Sequence, residues 1–540
     1  MTLGVESALL ETVSLLAVVV AGVVAVATLV RFSDTALLDP LRERFVLGVP
    51  WGTAAVVAGL TVVYYLVQGG DGNGGPVVQG FRSWSVWYPQ GVLFSSFAHA
   101  SEAHLRGNVF GTLTFAPVVE YVWRHRPPAD ARVQSPYARV GLFVLGTVAV
   151  GVAGALFVPG AIIGFSGVVF AFAGFALVVR PLVTVFALLA VRAVRLLYGA
   201  LTDPVVIAEA RPRFVSPSWA DTALQGHLFG VLVGVLLAVF LLRLRGRHPD
   251  IRHVFFAALV FGVVRSLYAI YWFLGADGFV LFQAAGAAGI LLFATLVALA
   301  TLPPDRRLGV GPPPATVAVA LLFLGVVVLA VSGLAYSLVL VSSSEAVDDG
   351  VEVRDYSVAY VDGAQDRYVG ALELPGVGSP LSATRSGVVV ASDRRNAWGI
   401  AVSAGELAFD GQATVAVGDA AWRETVFVDR SGWCLVNGTP PAGAGGPPAA
   451  RNPLPPPAGP AVGTPVCAGV TASTAARAGG FAPRPRRTAS PLFEGPVPAR
   501  NETVTAGALR FERIEDSLFA RHDDTELRLA EFKRNQRPDS

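Results

Sequence analysis

The chain has 540 residues, 53% of them hydrophobic and 15% charged, against about 25% charged in an average soluble protein. With a mean hydropathy of +0.57, this excludes a disordered chain, a coiled coil and an ordinary cytosolic enzyme, and the net charge of +2 carries no signal for nucleic acid. The charge is unevenly placed: residues 1–341 hold 36 charged side chains and residues 342–540 hold 44, so a membrane-like body precedes a water-like tail.

A helix needs about 20 apolar residues to cross roughly 30 Å of hydrocarbon. Ten segments of the body qualify or nearly do: Ser7–Val30, Phe45–Gln68, His104–Trp123, Tyr137–Val158, Ser166–Val179, Leu182–Leu201, Ala220–Leu242, Val254–Leu274, Phe279–Ala300 and Ala315–Val341. The start carries Glu6 and Glu11 and no early basic cluster, so it reads as a helix and not as a signal peptide. With the N-terminus outside, the inner loops hold Arg31, Arg42, Arg44, Arg124, Arg126, Arg132, Arg139, Arg180, Arg243, Arg245, Arg247, Arg252, Arg306 and Arg307, and the outer loops Arg82, Arg211 and Arg213. That asymmetry predicts a multi-pass protein of the cell membrane with both termini extracytoplasmic. Arg106 lies near an outer helix end. Arg192, Arg195 and Arg265 fall inside apolar segments and need a partner or water.

In the tail, residues 351–434 alternate apolar and polar and predict a small β-sandwich or barrel. Residues 438–500, rich in Pro, Gly and Ala, predict a linker. Residues 501–540 form a charged tail with an amphipathic helix expected near Ile514–Phe532. Cys434 and Cys467 suffice for one bridge in an oxidising compartment, and the sequons at Asn437 and Asn501 agree with an outer tail.

Polar groups inside apolar helices are the informative ones, because burying them without purpose is costly. His99, His104 and His227 fall at one depth, at the outer helix ends, with Asn108 and Ser166. His104 and Asn108, at i and i+4, project from one helix face and can donate to one oxyanion; taken alone, the pair reads more simply as hydrogen-bond glue between helices. Gly164-Phe-Ser166-Gly167 places a serine between glycines at a helix start. The segment it opens is 14 residues long, about 21 Å at 1.5 Å per residue, which predicts that Ser166 lies in a pit below the surface. Gly226-His227-x2-Gly230-x3-Gly234 offers a smooth face for close helix contact, with His227 near its outer end as a base for the serine. Asp221, six residues before His227, turns away from it, so a Ser–His dyad is expected.

The His-x4-His-x3-Asn, Gly-x-Ser-Gly and Gly-His-x2-Gly-x3-Gly motifs stand in that order on the second, fourth and sixth of six consecutive predicted helices. As an ordered set they resemble the rhomboid intramembrane serine proteases. Glu120 strengthens the likeness, standing sixteen residues after His104 where similar proteins carry a structural carboxylate.

The resemblance spans roughly residues 45–242. It implies a six-helix rhomboid core (45–242). Outside it, hydropathy and alternation add one extra N-terminal helix with its inner loop (1–44), three additional helices (243–341) and a β-rich extracytoplasmic region (342–437), so the whole is expected to be an all-α polytopic membrane protein with a β-rich tail. Ser166 would be the nucleophile and His227 the general base. His104, Asn108 and the Ser166 backbone N–H would hold the oxyanion, with His99 in support. Gly164, Gly167, Gly230 and Gly234 would allow close approach, and residues 69–98 would form a half-submerged loop with interfacial aromatics. Transmembrane proteins would be the substrates and the bilayer the medium, with no cofactor.

Two departures stand out. The Trp-Arg pair common in that loop is represented here by Phe81-Arg82 and Trp84, and Phe170 stands where relatives often carry a Tyr that stacks on the base. A catalytically inactive rhomboid-like binding protein and a polytopic transporter are the alternatives. The first would lack the dyad; the second predicts an internal repeat that the sequence does not show.

Overall fold

The computed structural model describes residues 39–540 except 72–74, 128–130, 206–214, 221–222, 275–277, 308–310, 339–349, 366–383, 430, 436–466, 469–479, 482–494, 497, 500–501, 507–508, 523–524 and 535–540. Before residue 39 it describes only scattered helical positions between 17 and 28, so the expected Ser7–Val30 span and Asp221 lie largely or wholly outside the described residues.

The chain is a helical, multi-pass integral membrane protein with strands in its C-terminal third. The helices that position the site are α1 (Trp51–Val62, continued by a wider turn to Val67), α2 (Glu102–Trp123), α3 (Pro136–Phe157), α4 (Ser166–Val179), α5 (Pro181–Thr202) and α6 (Leu224–Leu244). They are followed by α7 (Ile251–Val264), α8 (Gln283–Ala300) and α9 (Pro314–Leu338). Among the described residues α3, α5, α6, α8 and α9 are long and apolar enough to cross a membrane; α4 and α7, of 14 residues each, are shorter.

The starts of the helices follow local chemistry. Ser101 caps α2 by accepting from the His104 N–H at 3.2 Å, and Ser135 caps α3 ahead of Pro136. At the other end of α2, Glu120 reaches the first turn of α1. It accepts from the backbone N–H groups of Gly52 (2.6 Å) and Thr53 (2.8 Å), from Thr53 Oγ1 (2.7 Å) and from His125 Nε2 (2.5 Å). A carboxylate thus satisfies the open donors of a helix N-terminus in a site sealed from water.

Helix α4 is buried on nearly all sides and packs on α6 backbone to backbone. A Cβ on Gly230 or Gly234 would run into the carbonyl oxygens of Gly167 or Ala171, and one on Gly174 into that of Val231. The glycine face of α6 therefore permits the contact that a larger residue would forbid.

Two sequence expectations are corrected. The segments Val254–Leu274 and Phe279–Ala300 are not two continuous spans. Helix α7 stops at Val264, Ser266 takes a φ of +55°, and Tyr271–Leu274 (β1) pairs antiparallel with Gly278–Leu281 (β2) before α8. The run Tyr-Trp-Phe-Leu is aromatic and suits a strand; an apolar run of that length does not distinguish strand from helix.

The amphipathic helix expected near Ile514–Phe532 is instead the strands Leu509–Ile514, Ser517–His522 and Thr525–Arg534. Glu515 turns the chain at φ +50°, and Thr-Glu-Leu-Arg-Leu alternates with the period of a strand. The last of these strands pairs with Ser431–Leu435.

Between residues 351 and 429, β3 (Val351–Val353), β4 (Tyr356–Gln365), β5 (Thr384–Ser392) and β6 (Ala397–Ser403) form an antiparallel sheet, and β7 (Gln412–Gly418) and β8 (Arg423–Asp429) a hairpin. Val358, Val388, Val390, Val415, Val417 and Leu407 pack between them.

Candidate active site

Ser166 is the first residue of α4 and is half-buried. The segment before it is held tightly. Gly164 has a φ of +119°, which favours glycine, and its N–H donates to the Ser95 carbonyl at 2.8 Å. The imidazole of His104 lies against Gly164: a Cβ there would sit 2.5 Å from His104 Cε1 and 2.7 Å from Nε2. The structure therefore brings His104 beside the backbone that leads into the serine. Asn108, one turn below, is buried, and Gly111 continues that face into contact with Val169 of α4.

His227 lies in the first turn of α6. Its ring stacks on Phe170 with centroids 4.0 Å apart and planes at 8°, so Phe170 supplies the stacking contact that the sequence allows it. Phe170 in turn meets the edge of Phe261 of α7 at 5.3 Å and lies 5.5 Å from the guanidinium carbon of Arg265, the residue that follows α7. Gly167 and Gly226, the chain neighbours of Ser166 and His227, touch: a Cβ on Gly167 would be 3.4 Å from the Gly226 carbonyl. The serine and the histidine thus stand at adjoining helix starts. No hydrogen bond joins them, and His227 Nδ1 is buried with no partner among the described residues.

His99 is fully buried, its ring 5.2 Å from that of His104 in an edge-on arrangement, and both its ring nitrogens lack partners among the described residues. Its backbone is clamped by Gln68, whose side chain accepts from His99 N–H (2.7 Å) and donates to His99 O (3.0 Å). The amide of Asn108 is likewise unpartnered at Nδ2.

Beside Ser166 a cavity of about 30 Å³ opens between α3, α4 and α6, walled by Gly151, Gly154, Gly226 and Gly230. Its glycines leave room for a small group and supply few polar atoms. Glu120 stands at the opposite end of α2, as its spacing implies. Sequence reasoning missed Gln68; its signal is a polar residue at the end of an apolar segment. Arg265, left open between a structural and a polar-interior role, packs over the ring that supports His227.

Residues 84–244 match the family model described as Rhomboid domain. The chain carries a rhomboid domain. The match takes in α2 to α6 and with them His99, His104, Asn108, Ser166 and His227; α1, tied to the domain through Glu120, precedes it. Neither a curated protein nor a solved structure matches the chain.

Proposed function

We propose that the protein is an intramembrane serine endopeptidase that hydrolyses peptide bonds of membrane-anchored proteins with a Ser166–His227 dyad. Ser166 Oγ attacks the scissile carbonyl while His227 takes its proton. The ring of His104, the Nδ2 of Asn108 and the Ser166 N–H donate to the oxyanion. His227 then passes the proton to the leaving amine, and a water repeats the sequence on the acyl-enzyme.

The observation that carries this reading is the convergence at the start of α4. His227 is held by its stack on Phe170, and His104 lies on Gly164. The unpartnered Asn108 Nδ2 sits one turn below, and all belong to a rhomboid domain. The small glycine-walled cavity suits a small side chain at the cut site.

The open hydrogen bond between Ser166 and His227 favours a second reading, a rhomboid-like binder without turnover, although catalytic hydrogen bonds are often loose before substrate arrives. Labelling with a fluorophosphonate separates the two. Wild type is expected to react and Ser166→Ala not to; equal labelling leaves the binder. The arginine asymmetry of the loops supports a place in the cell membrane with both termini and the site facing outward. The parts read from the sequence are the domains of this arrangement: 1–44, 45–242, 243–341, 342–437, 438–500 and 501–540.

A further inference from the structure

The strand-rich region 351–429 lies outside the rhomboid match, yet it does not hang free of the bundle. It is seated on residues 69–98, the loop between α1 and α2, and that loop is bonded to the segment that leads into Ser166. Three sets of contacts make the first seating.

Arg395, 4% exposed, pairs with Asp355 (2.6 Å) and Asp419 (2.9 Å) and donates from Nη1 to Tyr88 Oη of the loop at 2.7 Å. Tyr88 passes the link on by donating to the Gly80 carbonyl at 2.9 Å. Trp84 of the loop is buried with Trp398, Val389 and Ala391, and a Cβ on Gly399 would lie 2.5 Å from its ring. Gly80 lies against the Gly418 carbonyl, which also accepts from Tyr356 Oη at 2.8 Å; a Cβ on Gly80 would strike that carbonyl.

The loop is then tied to residues 161–164. Ser83 N–H donates to the Ile162 carbonyl (3.1 Å), and Ile162 N–H donates to Ser83 Oγ (3.1 Å). Arg82 donates to the Ala161 carbonyl (2.9 Å), and Gly164 N–H to the Ser95 carbonyl (2.8 Å). Gly164 is the residue against which His104 rests. A continuous set of packed rings and hydrogen bonds therefore runs from the strand-rich region to the serine and to one expected oxyanion donor.

We propose that the strand-rich region is a built-in clamp of the active site, in which Arg395, acting through Tyr88 and the 80–88 loop, is a positioning residue for the 161–164 backbone that delivers Ser166 and supports His104. The catalytic half rests on the protease reading; the mechanical half does not. Holding reacting groups in one geometry is worth large factors in rate, and a misplacement of about 1 Å costs about 10²-fold. A clamp outside the membrane is a way to fix a loop that the bilayer does not order.

The test opens the seating without touching either partner's own core. Gly80→Ala and Gly399→Ala each place one methyl group in the interface from opposite sides, and neither glycine has a positive φ. Tyr88→Phe removes only the hydroxyl link. Full-length variants in membranes are followed by hydrogen exchange at residues 160–164 and, as a folding control, in β4 and β5. Fluorophosphonate labelling and the kcat and KM for a transmembrane substrate are measured alongside.

Both glycine variants are expected to raise exchange at 160–164 with β4 and β5 unchanged, and to lower labelling and kcat about 10-fold at nearly constant KM. Tyr88→Phe combined with Arg395→Lys is expected to be no slower than the slower single variant, because residues that act in series are not additive. Unchanged exchange at 160–164 in both glycine variants overturns the clamp; raised exchange with unchanged labelling overturns its catalytic half. A wild type that labels no better than Ser166→Ala removes the protease reading, and exchange at 160–164 then decides the clamp by itself.

Discussion

The two ends of α2 belong to the same bundle and treat the buried polar groups around them in opposite ways. At the Glu120 end every oxygen of the carboxylate is engaged, by Gly52, Thr53 and His125, and Arg139 donates to the carbonyls of Trp123 and Arg124. At the Ser166 end both nitrogens of His99, the Nδ2 of Asn108 and the Nδ1 of His227 are buried without partners among the described residues. Buried polar groups normally find partners, because leaving one unpaired costs about 1–3 kcal/mol. A chain that satisfies one end in full and leaves the other open has a reason to keep the second end open. Donors left without partners in a dry site are what a developing oxyanion needs.

The largest expected effect removes the chemistry at the open end. His227→Ala should lower cleavage of a transmembrane substrate by about 10⁴-fold or more, as loss of a member of a catalytic unit does, while the protein remains inserted and keeps its thermal transition. A variant that still cleaves at near wild-type rate would remove His227 from the mechanism.

Next come the donors. His104→Ala and Asn108→Ala should each reduce kcat about 10²–10³-fold with little loss of stability, because Asn108 Nδ2 gives up no partner. Kinetics paired with a melting curve separate this from helix glue, which would lower the melting temperature first.

At the closed end the pattern reverses. Glu120→Ala orphans the Gly52 and Thr53 N–H groups and His125, and should cost about 3–5 kcal/mol of stability. The surviving folded fraction should still label at Ser166 at nearly the wild-type rate per folded molecule. A Glu120→Ala variant as stable as wild type would erase the contrast between the two ends.

The smallest effect concerns acid. Burial raises the Asp355 carboxyl, but the hydrogen bond and charge of Arg395 outweigh it and hold it below the usual carboxylate range; Asp419 is lowered in the same way, by the Ala421 N–H and Arg395 against burial. Groups with lowered folded values add stability above their unfolded pKa and lose it as pH falls through the folded one. The seating of Arg395 should therefore be constant above about pH 5 and weaken progressively below about pH 4. Exchange in the 80–88 loop measures this; a loop equally protected at pH 3 and pH 7 would show that the ion pairs do not hold it.

Much of the bundle was legible in the chain. The bounds expected for the short helix, Ser166–Val179, are those found, because Gly164 and the Arg180-Pro181 pair punctuate both sides of an apolar run. The approach of α4 to α6 was also readable from the regularly spaced glycines of α6, whereas the stacking of Phe170 on His227 was expected only from the family resemblance. What was misread were short apolar or charged runs, at 271–281 and 509–534, where periodicity over a few residues does not separate strand from helix.

By itself the sequence determined that this is a membrane protein and, to within a few residues, where the helices between residues 102 and 244 lie, because hydropathy and helical spacing are local properties. Only the tertiary structure decided which residues meet. Arg395 and Tyr88 are 307 positions apart, and nothing in the local sequence of either points to the other. Their contact, and the tie from the loop to Gly164, depend on where the end of α9 delivers the strand-rich region. The packing of the whole chain sets that place, as Gly333 of α9 closes on the backbone at Phe157.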